Sequence, residues 1–151
     1  MLILVVGPSG AGKDTVLDAA RSRLAGDPRF RFVRRALTRP AGAGGEDYEP
    51  VTEAEFDRRE AAGEFALSWK AHGLCYGVPA DIGEAMARNV VCVVNGSRTR
   101  IEQAARLFRT RVIEITAAPE VLAQRLAARG REPAGEQIGR ASCRERGCCK
   151  V

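Results

Sequence analysis

The chain has 151 residues, of which 45% are hydrophobic and 28% are charged, values that are typical of one globular domain and exclude a disordered or fibrous protein. The formal net charge is +5, but residues 138–151 hold four basic residues against one acidic residue. The remaining charge is weak evidence for a nucleic-acid partner. The first apolar run, at 2–6, is too short to cross a membrane and follows no basic segment, so we expect a cytoplasmic protein without a membrane partner.

An apolar strand and an amphipathic helix open the chain. The unbroken run at 2–6 is typical of a parallel strand that is covered on both faces. Residues 13–24 follow with helical periodicity. The apolar face of that predicted helix contains Val16, Leu17, Ala20 and Leu24. A second strand is predicted at 32–37.

The middle of the chain contains local signals for one helix and a pair of strands. Thr52 precedes Glu55 by the capping-box spacing, and Gly63 is placed to end the helix that they begin. Two short strands are predicted at 65–69 and 74–78. Pro79 then fits the first turn of a helix that runs to residue 88.

The last part of the chain returns to alternating strands and helices. Buried strands are predicted at 90–94 and 112–116, with an amphipathic helix at 99–108 between them. Pro119 begins a helix that ends at about Arg129. Alternation of this kind predicts an α/β domain with a parallel sheet and right-handed crossovers, interrupted by a polar insertion at about 38–80.

The segment between the first strand and the first helix has the G-x-x-x-x-G-K spacing of a phosphate-binding loop. Glycines allow successive backbone N–H groups to surround phosphate oxygens, and the lysine adds a compact positive charge. A strand before the loop and a helix after it are the context that this motif requires. The predicted nucleotide-binding residues are Gly7, Pro8, Ser9, Gly10, Ala11, Gly12, Lys13, Asp14 and Thr15.

Asp14 departs from the usual loop, in which Ser or Thr follows the lysine directly. One interpretation is a magnesium site in which Asp14 provides a carboxylate and Thr15 a hydroxyl. The other is a favourable anion in the first turn of a helix. The strand at 90–94 is followed by Asn95, whereas many P-loop proteins end such a strand in Asp.

The polar insertion resembles the acceptor-binding lobe of guanylate kinases. The resemblance rests on "TRP" (38–40), "GGEDYEPVTEAEF" (44–56), "GEFALSW" (63–69) and "YGVP" (76–79). In addition, "RLAARGRE" (125–132) is similar to the arginine-bearing lid of nucleoside monophosphate kinases. This resemblance implies a three-layer P-loop kinase fold with a parallel sheet, an inserted lobe at about 38–80 and a lid at about 129–137.

The chain resembles the ribose 1,5-bisphosphate phosphokinase family more closely still. The matching motifs are "GKD" (12–14), "AHGLCYGVP" (71–79) and "VVNGSR" (93–98). The resemblance implies phosphorylation of ribose 1,5-bisphosphate to 5-phosphoribosyl 1-diphosphate with ATP and Mg²⁺, in phosphonate breakdown and NAD supply.

The resemblance also implies roles for individual residues. Lys13, Arg129 and Arg131 correspond to catalytic positions, and Arg35, Arg39, Tyr48 and Tyr76 to the acceptor-phosphate site. The two acceptor-site arginines could instead be solvated loop cations, and the two tyrosines could be packing residues. His72 is interpreted as a hydrogen-bonding loop residue rather than a base.

Two alternative functions stay open from the sequence. A guanylate kinase is the second candidate. In guanylate kinases a glutamate shortly before the tryptophan reads the guanine base, and Ser68 precedes Trp69 here, which argues against recognition of that base. A non-catalytic guanylate kinase-like binding module is the third, and the presence of Lys13 argues against it.

The end of the chain differs from the rest in composition. The segment "IGRASCRER" (138–146) is similar to a translated sequencing adapter, and the cysteines of this tail lack paired metal-ligand spacing. We therefore expect the kinase domain to span 1–137 and the tail at 138–151 to be non-native, so that the last strand and helix of the fold are missing. The strand at 112–116 would then form an apolar sheet edge.

Overall fold

A computed structural model describes residues 1–40 and 47–129 as two β-sheets and five α-helices. The strands are β1 (Leu2–Val6), β2 (Phe30–Phe32), β3 (Ala36–Leu37), β4 (Glu49–Pro50), β5 (Phe65–Ala71), β6 (Leu74–Pro79), β7 (Val91–Asn95) and β8 (Thr110–Glu114). The helices are α1 (Lys13–Arg23), α2 (Glu53–Ala61), α3 (Ile82–Ala87), α4 (Ile101–Leu107) and α5 (Pro119–Arg129). A short 3₁₀ helix, Arg98–Arg100, precedes α4.

The first sheet has the strand order β2-β7-β1-β8, and all of its neighbouring strands are parallel. Val5 of β1 is in register with Asn95 of β7 and with Ile113 of β8. Parallel strands present their carboxyl ends at the same edge of the sheet, where α/β proteins bind ligands. The loop after β1 and the residue that ends β7 therefore lie at one edge.

Helices cover both faces of this sheet. Leu2, Leu4 and Val6 pack in one cluster with Ile82 of α3 and Ala104 of α4. The alternate face of the sheet forms a second cluster, in which Val5 and Val93 pack with Leu17 of α1. Apolar side chains on both faces explain the unbroken apolar runs, and the α/β fold with three layers is confirmed.

The second sheet, with the order β4-β3-β6-β5, comes from the predicted insertion. Strands β5 and β6 form an antiparallel hairpin. His72 and Gly73 form its turn with positive φ angles of 53° and 70°, as hairpin turns of this kind require. Trp69 and Val78 join the cluster that contains Leu2, so the two sheets share one core.

The predicted start and end of α2 are confirmed. The backbone N–H of Glu55 donates to the Thr52 hydroxyl at 3.1 Å, and Gly63 follows the helix with a φ of 71°. The Glu55 carboxylate does not accept from the backbone N–H of Thr52, as it would in a full capping box. It accepts from the Arg58 guanidinium at 2.9 Å, which lowers the pKa of Glu55 below its ordinary value.

The predicted strand at 32–37 is wrong. Strand β2 ends at Phe32 in the parallel sheet and β3 begins at Ala36 in the second sheet, because the chain crosses between the sheets over residues 33–35. The interpretation of Pro79 as a helix start is also wrong, since Pro79 is the last residue of β6 and is paired with Phe65.

Two further expectations need correction. Val16 is 50% exposed, because successive helical residues point about 100° apart and the neighbouring Leu17 faces the sheet. Strand β8 begins at Thr110, two residues earlier than predicted, and it is mostly exposed rather than buried as predicted. Strand β4 was not predicted, because its two residues carry no periodicity and are defined only by pairing with β3.

Strand β8 lies at the edge of the parallel sheet. Within residues 1–40 and 47–129, no strand pairs with its outer side, and Val112 and Ile113 are 42% and 48% exposed. The lid residues 130–137 and the tail at 138–151 lie outside the described residues. None of the helices in the described ranges is both long enough and apolar enough to cross a membrane.

Candidate functional site

The loop between β1 and α1 has the shape of a phosphate-binding loop. Gly7, Gly10 and Gly12 adopt positive φ angles of 150°, 81° and 90°, which favour glycine. The Lys13 ammonium lies back across the loop and donates to the carbonyl oxygens of Gly7 at 2.9 Å and of Pro8 at 3.0 Å. The loop therefore holds its lysine in place before any ligand binds.

Helix α5 packs against this loop. The Arg125 guanidinium donates to the Gly10 carbonyl at 3.1 Å, and Leu126 of the same helix is buried. Arg125 lies in the lid motif at 125–132, but no role was predicted for it. Arg129 is the last residue of α5, and Arg131 lies outside the described residues, so their catalytic roles stay predictions.

Asp14 lies beside the residue that ends β7. The Asn95 amide donates from Nδ2 to the Asp14 carboxylate at 3.0 Å, and Asn95 is only 8% exposed. Thr15, the second predicted metal ligand, is exposed. Among the described residues no cluster of three or more His, Cys, Asp or Glu side chains could hold a metal ion by itself.

Magnesium fits this donor set, because it prefers oxygen ligands and usually takes one or two carboxylates together with substrate phosphates. A single carboxylate beside a phosphate-binding loop supplies what the ion requires from the protein. A complete cage of protein ligands is unnecessary.

A cleft lies beside α1. Its lining combines apolar residues with charged and polar side chains from α1, β7 and the segment before β4. The lining residues are Asp14, Leu17, Asp18, Arg21, Phe32, Val33, Asp47, Val93 and Asn95. The cleft therefore lies between Asp14 and the segment before Tyr48, and its described lining includes none of the four predicted acceptor-site residues.

Ion pairs position the acceptor side of the cleft. The Arg34 guanidinium lies 2.7 Å from the Asp47 carboxylate and donates to the Tyr48 carbonyl at 3.0 Å. Arg21 of α1 lies 3.6 Å from the same carboxylate. Exposed ion pairs of this kind add little stability, but these link the segment before Tyr48 to the P-loop helix. Neither Arg34 nor Asp47 was singled out from the sequence.

The four predicted acceptor-site residues form two pairs. Arg39 lies over the Tyr48 ring, 5.9 Å from its centroid, and the Tyr48 hydroxyl donates to the Pro40 carbonyl at 2.6 Å. Arg35 is 5% exposed and lies 5.1 Å from the centroid of the Tyr76 ring. Arg35 is therefore enclosed by the lobe, whereas Arg39 keeps partial access to solvent.

Trp69 and Tyr76 stack with their centroids 5.3 Å apart, and both belong to or pack on the main core cluster. Ser68 lies on the opposite face of β5, where its hydroxyl donates to Glu60 of α2 at 2.6 Å. Ser68 is thus engaged within the lobe. His72 occupies the hairpin turn, as its interpretation as a loop residue requires.

Comparisons with known proteins give one consistent family. A family model described as "AAA domain" matches residues 3–146. The ribose 1,5-bisphosphate phosphokinase PhnN of Brucella melitensis is 50% identical over 146 residues, covering 96% of this chain and 76% of that protein. The protein of the same name from Methylobacterium radiotolerans is 53% identical over 141 residues, covering 92% of this chain and 79% of the relative.

Among solved structures, guanylate kinase from Anaplasma phagocytophilum matches with a TM-score of 0.66. It is 20% identical, and the match covers 92% of this chain and 70% of that one. At this identity the likeness shows the fold alone.

Proposed function

The chain belongs to the ribose 1,5-bisphosphate phosphokinase family, and on that premise we propose that it transfers the γ-phosphoryl group of ATP to the 1-phosphate of ribose 1,5-bisphosphate. An oxygen of the acceptor phosphate forms a bond to the γ-phosphorus, and the bond to the β,γ-bridging oxygen breaks. The products are ADP and 5-phosphoribosyl 1-diphosphate. The observation that carries the proposal is a phosphate-binding loop that holds Lys13 across its own carbonyl groups, in a chain about half identical to enzymes of this name.

The donor side consists of the phosphate loop and Lys13. The loop amides and the ammonium bind the ATP phosphates, for which Lys13 exchanges its carbonyl partners on Gly7 and Pro8 for phosphate oxygens. Magnesium, when bound, neutralises charge on the donor phosphates, and Asp14 with Thr15 would hold it. Phosphoryl transfer is catalysed mainly by such positioning and charge neutralisation.

The acceptor side consists of the two arginine–tyrosine pairs. Arg39 and Tyr48 contact the acceptor phosphate directly, and the Tyr48 hydroxyl turns from the Pro40 carbonyl to do so. Arg35 is enclosed beside Tyr76 and contributes its charge from within the lobe while it orients that ring. A phosphate acceptor is already ionised near neutral pH, so the site needs no general base.

In this proposal the arginines of the lid supply the remaining positive charge of the site. Arg129 and Arg131 would neutralise the phosphoryl group in transit, and such an arginine is worth about a thousandfold or more in rate. The contact between Arg125 and the loop carbonyl of Gly10 supports the proposal, because α5, which leads toward the predicted lid, packs against the phosphate loop. We propose that the reaction takes place in the cytoplasm, where ATP is available.

A substrate panel tests the proposed function. We expect ADP release to be fastest with ribose 1,5-bisphosphate and at least about tenfold slower with GMP, AMP or dTMP, because a site built for hydrogen bonds to one acceptor discriminates strongly against others. Coupled ADP-release assays at equal acceptor concentrations measure this order. Faster turnover of GMP would favour the guanylate kinase alternative, and binding of ATP without turnover of any acceptor would favour a non-catalytic module.

Replacing Arg39 with alanine should raise the KM for ribose 1,5-bisphosphate by about tenfold to a hundredfold, the effect of losing a charged hydrogen bond. The KM for ATP should change little, because Arg39 belongs to the lobe and not to the phosphate loop. Arg106→Ala is the matched control, since Arg106 is exposed on α4 and pairs with Glu102 of the same helix at 3.6 Å. An equal rise in both KM values in the Arg39 variant would contradict the assignment.

A further inference from the structure

Two departures from the usual P-loop pattern meet at one point in this structure. In P-loop NTPases the magnesium ion is held by the Ser or Thr that follows the loop lysine and by an Asp at the end of a strand. Here Asp14 follows the lysine and Asn95 ends β7. The two residues are 81 positions apart in the chain, yet their side chains lie 3.0 Å apart.

We propose that the carboxylate and its neutral partner have exchanged places in this site. Asp14 supplies the carboxylate for magnesium from the P-loop helix. Asn95 is a positioning residue that holds one oxygen of that carboxylate and adds no second charge. This inference rests on the proposed function only in that the protein binds ATP with magnesium, and it does not depend on which acceptor is phosphorylated.

The direction of the hydrogen bond supports these roles. An ionised carboxylate only accepts hydrogen bonds, so the Asn95 amide must present its NH₂ group to Asp14. That bond engages one oxygen of the Asp14 carboxylate, and both residues line the cleft. An asparagine that ligated the ion itself would have to present its carbonyl oxygen instead.

The backbone around Asn95 is rigid enough for a positioning role. Asn95 is in register with Val5 of β1, and the next N–H, of Gly96, donates to the Val5 carbonyl at 2.8 Å. A Cβ atom on Gly96 would overlap the buried Leu4 side chain, so the chain passes close to β1 directly after Asn95. Asp14 is correspondingly fixed in the first turn of α1.

An aspartate at position 95 would place two carboxylates within hydrogen-bonding distance. Like charges at that separation repel unless a cation or a proton lies between them. The observed pair has one carboxylate, the same number as the usual serine–aspartate pair.

The test moves the carboxylate from position 14 to position 95 and measures whether magnesium binding follows it. The variants are Asp14→Ser, Asn95→Asp, their combination and Asn95→Ala, with Asp57→Ser as a control that removes an exposed carboxylate of α2 outside the cleft. Calorimetry measures ATP affinity with and without Mg²⁺, in the absence of any acceptor. Thermal melting of the nucleotide-free protein with and without Mg²⁺ gives a second readout.

We expect Mg²⁺ to strengthen ATP binding in the parent and in Asp57→Ser, and to lose most of that effect in Asp14→Ser. Asn95→Ala should weaken the magnesium effect by about tenfold or more, the usual cost of removing a group that orients a metal ligand. Asn95→Asp should melt at a lower temperature than the parent without Mg²⁺ and regain stability when Mg²⁺ is added. The double variant should recover most of the magnesium effect lost in Asp14→Ser.

An unchanged magnesium effect in Asp14→Ser would overturn the role of Asp14, and an unchanged effect in Asn95→Ala would overturn the role of Asn95. A double variant no better than Asp14→Ser would show that the positions are not exchangeable. Failure of the proposed function would be seen separately, as absence of turnover with ribose 1,5-bisphosphate while magnesium-dependent ATP binding persists.

Discussion

Replacing Lys13 with alanine is expected to lower the rate of ADP release by about a thousandfold, the scale of losing one preorganised charged donor. The side chain makes its hydrogen bonds to the loop carbonyls of Gly7 and Pro8, and it does not belong to either core cluster. The melting temperature should therefore change by only a few degrees. Initial rates with saturating ATP and ribose 1,5-bisphosphate, together with a circular dichroism melt, measure both effects.

Lys70→Ala is the matched control, because Lys70 is an exposed lysine on β5 outside the phosphate loop. It should retain parental activity. Near-parental turnover in Lys13→Ala would refute the phosphate-loop assignment, whereas loss of the folded state in that variant would show that Lys13 supports the loop rather than the reaction.

Replacing Gly7 with alanine is expected to remove both nucleotide binding and about 3 kcal/mol of the free energy of unfolding. A Cβ atom at this position would overlap the backbone carbonyl oxygen of Ile115, and the φ of 150° is itself unfavourable for alanine. The clash cannot be relieved easily, because the N–H of Ile115 donates to the Val6 carbonyl at 2.8 Å directly after β8. Urea denaturation and ATP calorimetry measure the two losses.

Gly83→Ala provides the comparison for this variant. Gly83 lies in α3, and a Cβ atom there meets nothing within 4 Å, so alanine should stabilise the protein by up to about 1 kcal/mol through its higher helix propensity. If Gly7→Ala were as stable as the parent and still bound ATP, the close approach of the loop to residue 115 would have no energetic importance.

The sequence by itself determined the elements whose signals are local. Five apolar residues before a glycine loop and a helix predict the phosphate site, because every part of that unit lies within residues 2–24. The Thr52–Glu55 spacing likewise predicted a helix start that the structure confirms. The motifs at 12–14, 71–79 and 93–98 indicated the family that the relatives show.

Sequence reasoning failed where a segment leaves one pairing strand for another and its amino-acid composition does not change at that point. Residues 32–37 look like one strand, but β2 ends at Phe32 in the parallel sheet and β3 begins at Ala36 in the second sheet. Pro79 fits a helix start equally well by its local preferences, and pairing with Phe65 places it in β6 instead. Tertiary pairing overrides local propensity at such positions.

Only the tertiary structure brought the distant parts of the candidate site together. Asn95 reaches Asp14 because the strand order places β7 beside β1, and Arg125 reaches Gly10 across 115 positions of the chain. No periodicity or spacing encodes such contacts, because they depend on which parallel strands are neighbours and on how the helices pack across them. Local chemistry therefore identified the phosphate loop, and the sheet topology determined which side chains surround it.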